Sequence, residues 1–308
     1  MRRLLFLVSL VLLGSCCSQH QPRMQAGHVI FIGVDGVSTP AFKDPALLAR
    51  MPNVKMMMEE GSYTLGKRSV MPSASAINWA SMFMGTPTEM NGFDKWNSTK
   101  GTIPSTTDNG HGIPPTIYTI LRQQFPNMEL GLACDWKGVG AVADTLAMDF
   151  YKYIGTYKGK QILITPEEYA KIAVNYIKEK KPAFFTFYFG ITDNIGHNYG
   201  WCSPEYMQCQ YDVDKGIGMI VQAIKDAGIF DDTIIILSSD HGGIGKGHGK
   251  FTLEELETPF VLYGKKVKSG YEMTLPVIQY DTAATIAYIL GATIPEDWRG
   301  KPVKEAFK

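Results

Sequence analysis

The stretch HVIFIGVDG, residues 28–36, decides the fold class. Its first part is a continuous apolar run, which is typical of a strand buried on both faces of a parallel sheet. Further runs of this kind recur along the chain, and segments with helical periodicity lie between them. This alternation predicts an α/β fold with a largely parallel central sheet and helices on both faces. Further strands are expected at 130–133, 183–189, 233–237 and 259–263, and helices at 77–84, 115–124, 166–179, 207–227 and 282–290.

The composition is that of a neutral globular protein. The chain has 308 residues, of which 45% are hydrophobic, and no linker divides it, so residues 28–308 are expected to form one catalytic domain. Thirty basic residues balance thirty acidic ones, and no run of Lys or Arg occurs. The sequence therefore offers no platform for duplex nucleic acid, and it does not indicate an oligomeric state.

The first residues have the pattern of an export signal. Arg2 and Arg3 precede an apolar stretch, residues 4–13, of about the length of a signal-peptide core. This stretch is too short to cross a bilayer, which takes about 20 apolar residues. It ends in the sequence LGSC, residues 13–16, which resembles a bacterial lipobox.

A lipoprotein is therefore expected. Residues 1–15 are predicted to be a signal peptide, Cys16 the lipidated residue, and residues 16–27 a tether. The protein would then be exported and anchored to a bacterial membrane, facing the periplasm or the cell surface. The alternative is an ordinary signal peptide that happens to contain Cys16.

Three cysteines remain in the body of the chain: Cys134, Cys202 and Cys209. An exported protein can form disulfides, and Cys202 and Cys209 are close enough in sequence to close a small loop, but the sequence leaves that pairing open. No Cys-x-x-Cys occurs, which argues against a thiolate zinc site.

Carboxylate and imidazole side chains stand directly after the predicted strands, where open α/β sheets place their sites. Singly, each has an ordinary explanation, since Asp-Gly is usually a turn and Asp-x-x-x-His is often a surface pair. Together they are enough for two metal sites of three ligands, and this mixed set suits zinc better than manganese or iron. The residues are Asp35, Asp193, His197, Asp240, His241 and His248.

A candidate nucleophile lies in MPSASAINWASMFMG, residues 71–85. Small residues lead into a short apolar helix, and Ser75 is expected at its start. There the helix dipole and free backbone N–H groups favour an oxyanion or a phosphate. The alternative is that Ser73 or Ser75 only caps the helix.

Taken in order, these motifs resemble the alkaline phosphatase superfamily and, within it, the nucleotide pyrophosphatase/phosphodiesterase branch. The resemblance spans residues 28 to about 300 and rests on four matches. They are the turn VDG at Asp35, which corresponds to the V-x-D-G turn of the branch, the spacing of Ser75, Asn78 and Gly85, the D-x-x-G-H motif of Asp193, Gly196 and His197, and the S-D-H-G motif of residues 239–242.

The resemblance implies a role for each matched residue. Ser75 would be the nucleophile that forms a phosphoseryl intermediate, and Asn78 would donate a hydrogen bond to a non-bridging phosphate oxygen. Two divalent metal ions would bind the attacking and leaving oxygens, and zinc is the ion expected. One ion would be held by Asp35, Ser75, Asp240 and His241, and the other by Asp193, His197 and His248.

The chain also departs from the pattern of the branch. His248 lies nearer the S-D-H-G motif than the closing histidine of longer phosphodiesterases. The sequence has Asn91-Gly92 where His-Gly is usual, and Trp136-Lys137-Gly138 where Trp-Pro-Gly is usual. Lys137 would therefore either reach the substrate phosphate or remain solvated.

The expected function is hydrolysis of phosphodiester or pyrophosphate bonds in small, nucleotide-like substrates. A phosphomonoesterase is the alternative, with Lys137 as the cation for the extra phosphate charge. A sulfatase is disfavoured because residues 71–79 lack the C/S-x-P-x-R motif that forms its formylglycine. A non-catalytic binding lipoprotein would be expected to lack a ligand or the nucleophile, and none is missing.

Overall fold

The structure, a computed structural model, describes residues 24–104, 107–157, 160–161 and 164–308. The predicted signal peptide, Cys16 and most of the tether lie outside these residues. The strands are β1 (His28–Val34), β2 (Ser62–Arg68), β3 (Leu130–Cys134), β4 (Phe150–Tyr153), β5 (Thr156–Tyr157), β6 (Lys160–Gln161), β7 (Phe184–Phe189), β8 (Thr233–Ser238), β9 (Glu257–Tyr263) and β10 (Tyr271–Glu272).

The helices lie between these strands, together with 3-10 turns at Thr145–Ala147, Phe230–Asp232 and Lys304–Ala306. They are α1 (Pro40–Lys43), α2 (Pro45–Leu48), α3 (Pro52–Glu60), α4 (Ser75–Met84), α5 (Thr88–Asn91), α6 (Ile117–Gln124), α7 (Lys137–Val142), α8 (Pro166–Lys180), α9 (Ile191–Tyr199), α10 (Pro204–Asp226), α11 (Leu253–Leu256) and α12 (Asp281–Leu290).

Eight strands form one sheet in the order β10-β2-β9-β8-β1-β7-β3-β4. Strands β8, β1, β7, β3 and β4 are parallel, and β9 is antiparallel to both of its neighbours. The predicted largely parallel α/β sheet is therefore confirmed. Because four of these strands end at one edge beside one another, the side chains that follow them are brought together there.

The two faces of β1 explain why helices cover both sides of the sheet. Val29 and Phe31 belong to one buried cluster, with residues of α4, α6 and α12. Ile30 and Ile32 belong to the other, with residues of α3, α8 and α10. Successive side chains of a strand point to opposite faces, so an apolar run without alternation needs a cover on each side.

Two local details differ from what the sequence indicates. Asp281 and Thr282 form a reasonable N-cap pattern and Gly291 a C-cap, but helix α12 begins at Asp281 with Tyr280 as its N-cap, while Gly291 closes the helix in the left-handed conformation. Strand β2 was not predicted, because its sequence SYTLGKR is only partly apolar and several of its residues are partly exposed.

The chain enters the domain at the amino end of β1. The backbone N–H groups of Gln25 and Ala26 donate to the carbonyl of Ile289 at 2.7 and 3.1 Å, at the end of α12. Cys134, Cys202 and Cys209 are free thiols. Among the described residues, no helix combines the length and the apolar character needed to cross a membrane.

Candidate active site and metal centre

Ser75 is the first residue of helix α4, and it is 7% exposed. The N-cap is Ala74, which is extended and has no side-chain cap, so Ser75 does not cap the helix. Ser73 is also occupied elsewhere, since its hydroxyl donates to the carbonyl of Lys250 at 3.0 Å. The Ser75 hydroxyl oxygen instead lies 3.2 Å from Nε2 of His241.

Asp35 follows β1, and only one of its two carboxylate oxygens is hydrogen-bonded. Its Oδ2 accepts a hydrogen bond from Nε1 of Trp79 at 3.2 Å and another from the hydroxyl of Tyr188. Its Oδ1 is buried without a hydrogen-bond partner and lies 3.5 Å from Nε2 of His241. The fixed oxygen orients the carboxylate, and the unpartnered one is free for a cation.

Gly36 shows why an Asp-Gly pair is needed at this point. Its φ is +66°, and a Cβ there would lie about 3.0 Å from the side chain of Asp193. Its N–H donates to Oδ1 of Asp240 at 3.1 Å, which fixes that carboxylate. Oδ2 of Asp240 is buried without a partner and lies 3.3 Å from Nε2 of His241. The turn after β1 therefore positions three acidic side chains at once.

Asp193 and His197 lie on helix α9, not in a loop as the sequence suggested. Their spacing of four residues puts them on one face of the helix, with Nε2 of His197 3.5 Å from Oδ2 of Asp193. Nε2 of His248 lies 3.2 Å from Nε2 of His197 and 3.7 Å from Oδ1 of Asp193. The structure thus brings these three predicted ligands together.

The short connection from β8 to His248 explains its position. Ile244 and Gly247 exchange backbone hydrogen bonds at 2.9 and 3.1 Å, and Gly245 has a φ of +58°. This tight turn reverses the chain within a few residues and returns His248 to the edge of the sheet. No longer insertion is needed to supply this histidine.

All three histidines present the same ring nitrogen to the cluster. In each, Nδ1 contacts a backbone carbonyl, which can only accept, so Nδ1 carries the proton and Nε2 is left with its lone pair. Metal-binding histidines are commonly oriented in this way, by a hydrogen bond from the ring nitrogen that does not bind the metal. The acceptors are Lys246 for His197 at 3.0 Å, Gly242 for His241 at 2.8 Å and Ser73 for His248 at 2.8 Å.

The donor set fits two divalent cations. Ligand atoms of Asp193, His197 and His248 lie within 4.8 Å of one another, and so do those of Asp35, Asp193 and His241. One carboxylate oxygen each of Asp35, Asp193 and Asp240 is buried without a partner. Unpaired buried carboxylates are costly, and a bound cation would remove that cost.

The electrostatics support the same conclusion. Burial raises the pKa of Asp193 to about 8, and the carboxylate of Asp35 adds to the rise while His241 opposes it. Burial, with Asp35 second, also raises the pKa of Asp240 well above its usual range. Burial lowers the pKa of His248 to about 3, which keeps the imidazole neutral, as a metal ligand requires. A cation would hold the carboxylates ionised beside neutral imidazoles.

Asn78 has a different position from the one expected. It is fully buried, and its Oδ1 accepts the N–H of Val70 at 2.7 Å. Its Nδ2, which has only two hydrogens, already contacts the carbonyls of Val70, Pro72 and Ala74 at 3.1 to 3.2 Å. The amide therefore holds the turn before α4, and it is not directed at a phosphate oxygen.

Lys137 is likewise not part of the cavity wall. It is the first residue of α7 and is exposed, while Asp135 and Trp136 before it line a cavity that also contains Ser75 and the metal-ligand cluster. The cavity has a volume of about 1070 Å³. Trp96 and Trp136, two aromatic residues that the sequence already singles out, line it. Sequence reasoning missed several other lining residues, which include Asp94, Lys95, Asn97, Asp135, Tyr153 and Tyr188.

One of these residues carried a signal in the sequence. Asp135 directly follows the apolar strand β3, as Asp35 follows β1, so the same rule would have found it. Asn97 carried no such signal, since it opens a segment rich in small and polar residues, which is a composition typical of a surface loop. In the described parts of residues 97–115 there is no helix or strand, but the segment begins at the cavity.

Comparison with known proteins gives the family. The sequence model of type I phosphodiesterase/nucleotide pyrophosphatase matches residues 29–259, which is more than half of the chain, and the chain belongs to this family. Human ectonucleotide pyrophosphatase/phosphodiesterase family member 1 is 24% identical over 199 residues, or 62% of this chain. The match covers only 21% of that human protein, so the chain spans about a fifth of its length.

Solved structures agree on the fold. An inactive threonine-to-alanine variant of murine ectonucleotide pyrophosphatase/phosphodiesterase 5, in complex with AMP, is similar with a TM-score of 0.71 and 14% identity. The match covers 91% of this chain and all of that one. A 2-O GAG sulfatase is similar with a TM-score of 0.70 and 13% identity, over 91% of this chain and 73% of the other. The neighbours are alkaline-phosphatase-like.

Proposed function

We propose that this protein is an exported two-metal phosphoesterase that hydrolyses phosphodiester or pyrophosphate bonds through a phosphoseryl intermediate on Ser75. The observation that carries the proposal is the convergence of donor atoms beside Ser75. Asp35, Asp193, His197 and His248 line one cavity together with Ser75. Nε2 of His241 lies 3.2 Å from the Ser75 hydroxyl oxygen and 3.3 Å from Oδ2 of Asp240, and one carboxylate oxygen of each of the three aspartates is buried without a partner. Such a set suits a pair of divalent ions, with zinc preferred by the mixture of imidazole and carboxylate.

Ser75 would act as the nucleophile. Its position at the start of a ten-residue helix exposes it to the positive end of the helix dipole, which favours its alkoxide and a bound phosphoryl group. The oxygen attacks phosphorus in line with the leaving oxygen, the bond from phosphorus to that oxygen breaks, and Ser75 becomes esterified. Attack of water on phosphorus then releases the second product and restores the hydroxyl.

The remaining residues would position the reacting groups. Bound divalent ions would supply positive charge that favours the Ser75 alkoxide and the charge developing on the leaving oxygen. Asp35 and Asp240 are oriented by Trp79, Tyr188 and the Gly36 N–H. Asn78 fixes the turn before Ser75, so the nucleophile approaches from one direction.

The size and lining of the cavity support a substrate with a bulky second substituent. A volume of about 1070 Å³ exceeds what a simple phosphate ester fills, and Trp96, Trp136 and Tyr153 offer faces on which a ring can stack. The AMP complex of the murine relative supports a nucleotide-like group by analogy. That relative was captured as an inactive threonine-to-alanine variant, which is consistent with a hydroxyl nucleophile in the family.

The proposed setting is the outside of a bacterial membrane, with the chain anchored through a lipid on Cys16. The lipobox-like sequence at residues 13–16 supports this location. Replacement of Cys16 by Ser should move the protein from the membrane fraction to the soluble fraction. Retention in the membrane fraction would contradict the anchor and leave the proposed chemistry untouched.

The decisive test of the activity uses purified, zinc-loaded protein and a chromogenic nucleotide diester. Thymidine 5′-monophosphate p-nitrophenyl ester should be hydrolysed, and the reaction should stop in the Ser75→Ala variant. Acid quench of the wild type should trap thymidine 5′-monophosphate esterified to Ser75. An active protein with no nucleotide esterified to Ser75 would overturn the intermediate, and no activity on any ester of a nucleotide panel would overturn the function.

A further inference from the structure

Asp135 stands at the same edge of the sheet as the metal centre, but it is not one of its ligands. It directly follows β3, Gly190 follows β7, and Asp35 follows β1, and these three strands are neighbours. Adjacent strands lie about 4.8 Å apart, so Asp135 is two strand spacings from Asp35. Oδ1 of Asp135 accepts the N–H of Gly190 at 2.8 Å, which draws the carboxyl group toward the middle of the edge.

Gly190 leaves room for this approach. A Cβ at Gly190 would lie 2.7 Å from Oδ1 of Asp135, so any side chain there would push the carboxyl group away. With glycine at this position, Asp135 lines the same cavity as Ser75. Burial raises the pKa of Asp135 to about 7, the Gly190 hydrogen bond opposes the rise, and Asp35 adds to it.

The charges around this cavity are unequal. Among the described residues that line it, Lys95 is the only lysine or arginine, whereas Asp94 and Asp135 are acidic and lie outside the metal-ligand clusters. Lys137, the residue that could have faced an extra phosphate charge, is exposed and outside the lining. A phosphomonoester carries one more negative charge than a diester near neutral pH, and recognition of that charge calls for a cation.

We propose that Asp135 is a specificity-determining residue that selects diesters over monoesters, because its carboxylate repels the second negative charge of a monoester. The inference rests on the proposed phosphoesterase function and identifies the residue that sets its substrate class. Diesters escape the repulsion because their second substituent replaces the charged oxygen. Lys137 has no part in this selection.

The test compares p-nitrophenyl ethyl phosphate with p-nitrophenyl phosphate, which share a leaving group and differ by one ethyl group. In wild type the diester should have the higher kcat/KM. In Asp135→Asn the ratio of diester to monoester should fall at least about tenfold, mainly through a gain on the monoester. The amide oxygen of asparagine can still accept the Gly190 N–H, so the local structure should persist. An unchanged ratio would overturn the inference.

Lys137→Ala tests the competing explanation, in which this exposed lysine recognises the charge of the monoester. The ratio of diester to monoester kcat/KM in this variant should equal that of wild type. A selective loss of monoester hydrolysis in Lys137→Ala would overturn the inference in favour of the lysine. Binding gives a readout that does not need turnover. Calorimetry with inorganic phosphate at pH 8 should show about tenfold tighter binding to zinc-loaded Asp135→Asn than to wild type.

These outcomes separate the two proposals. If wild type hydrolyses neither these two esters nor any ester of the nucleotide panel, the proposed function fails, while the phosphate titration still decides the role of Asp135. If wild type hydrolyses both esters and phosphate affinity is the same in Asp135→Asn, the selection by Asp135 fails and the phosphoesterase function stands. A second variant, Asp135→Ser, repeats the titration if Asp135→Asn folds poorly, and equal phosphate affinity there would also overturn the inference.

Discussion

The hydroxyl oxygen of Ser75 lies 3.2 Å from Nε2 of His241, and this contact joins the start of helix α4 to the end of strand β8. The two residues are far apart in sequence and meet because the sheet places β8 next to β1 while α4 covers one face. Both are buried, so their separation is set by the packing of the core. Ser75 is thus positioned by the fold itself.

Replacement of Ser75 by Ala should lower kcat by at least about 1,000-fold, because the attacking oxygen is removed. Zinc content and the midpoint of thermal unfolding should stay close to wild type, since a small buried side chain at a helix start is lost without a large cavity. Ser73→Ala is the matched control and should keep most of the activity. Loss of activity in Ser73→Ala alone would move the nucleophile to that residue.

Chelation should abolish activity and lower the unfolding temperature, because it leaves one buried oxygen on each of three neighbouring carboxylates without a partner. Zinc should restore both. His197→Ala should bind one ion fewer per chain by elemental analysis. His111→Ala is the control, because His111 is not one of the predicted ligands. Its Nδ1 instead lies 2.8 Å from Oδ1 of Asp144. Equal metal content in His197→Ala and wild type would exclude this histidine as a ligand.

Asn78→Ala should destabilise the protein by about 1–3 kcal/mol, because it leaves buried backbone groups of the turn before α4 without their partner. Urea unfolding measures this directly. Asn97→Ala, at the exposed rim of the cavity, is the comparison and should change kcat/KM with little effect on stability. If Asn78→Ala lost activity at full stability, its amide would be a phosphate donor after all.

Lys67→Met should stabilise the protein most at and below neutral pH. The lysine is fully buried, and its Nζ lies 3.6 Å from Sδ of Met82 and 5.6 Å from the centre of the Phe260 ring. Burial lowers its pKa to about 7, although Asp240 and Asp281 oppose this. Below pH 7 the native state carries an unfavourable buried charge. Between pH 7 and about 10 the unfolded chain binds more protons than the native one, so the free energy of unfolding rises with pH.

Methionine has similar length and no charge, so the gain at pH 6 should be on the order of 4 kcal/mol and should shrink as pH rises toward 10. Urea unfolding of wild type and variant at pH 6, 7.5 and 9 gives this difference. Because the difference between the two free energies of unfolding is used, the contributions of other titrating groups cancel. A difference that stays constant over this range would show that Lys67 keeps its ordinary pKa.

The sequence predicted the parts of the fold that depend on local pattern. The run at residues 28–34 had to be a strand covered on both faces, and the ligands after such strands had to share an edge. Strand β2 was missed because a partly exposed strand beside an antiparallel neighbour needs no continuous apolar run. The helix of Asp193 and His197 was missed because its glycine and polar residues give weak periodicity.

The site was predictable where a motif fixes a backbone position, and less so where packing decides. The Asp35-Gly36 pair could be identified because only glycine fits that turn. The direction of the Asn78 amide depends on three carbonyls of a loop whose course no motif specifies. The family pattern drew attention to Lys137 as a residue near the substrate. The residue that lines the cavity is Asp135, which follows the end of β3.

The entry of the chain beside Ile289 has a consequence for the way the protein would work at a surface. Strand β1 is seven residues long, so the point of entry and the cavity stand roughly 23 Å apart at opposite edges of the sheet. A lipid on Cys16 would therefore suspend the domain by its far edge and turn the opening toward the surrounding water. Such an orientation would favour dissolved substrates that arrive by diffusion, in preference to headgroups of the supporting bilayer, and it would release products away from the membrane.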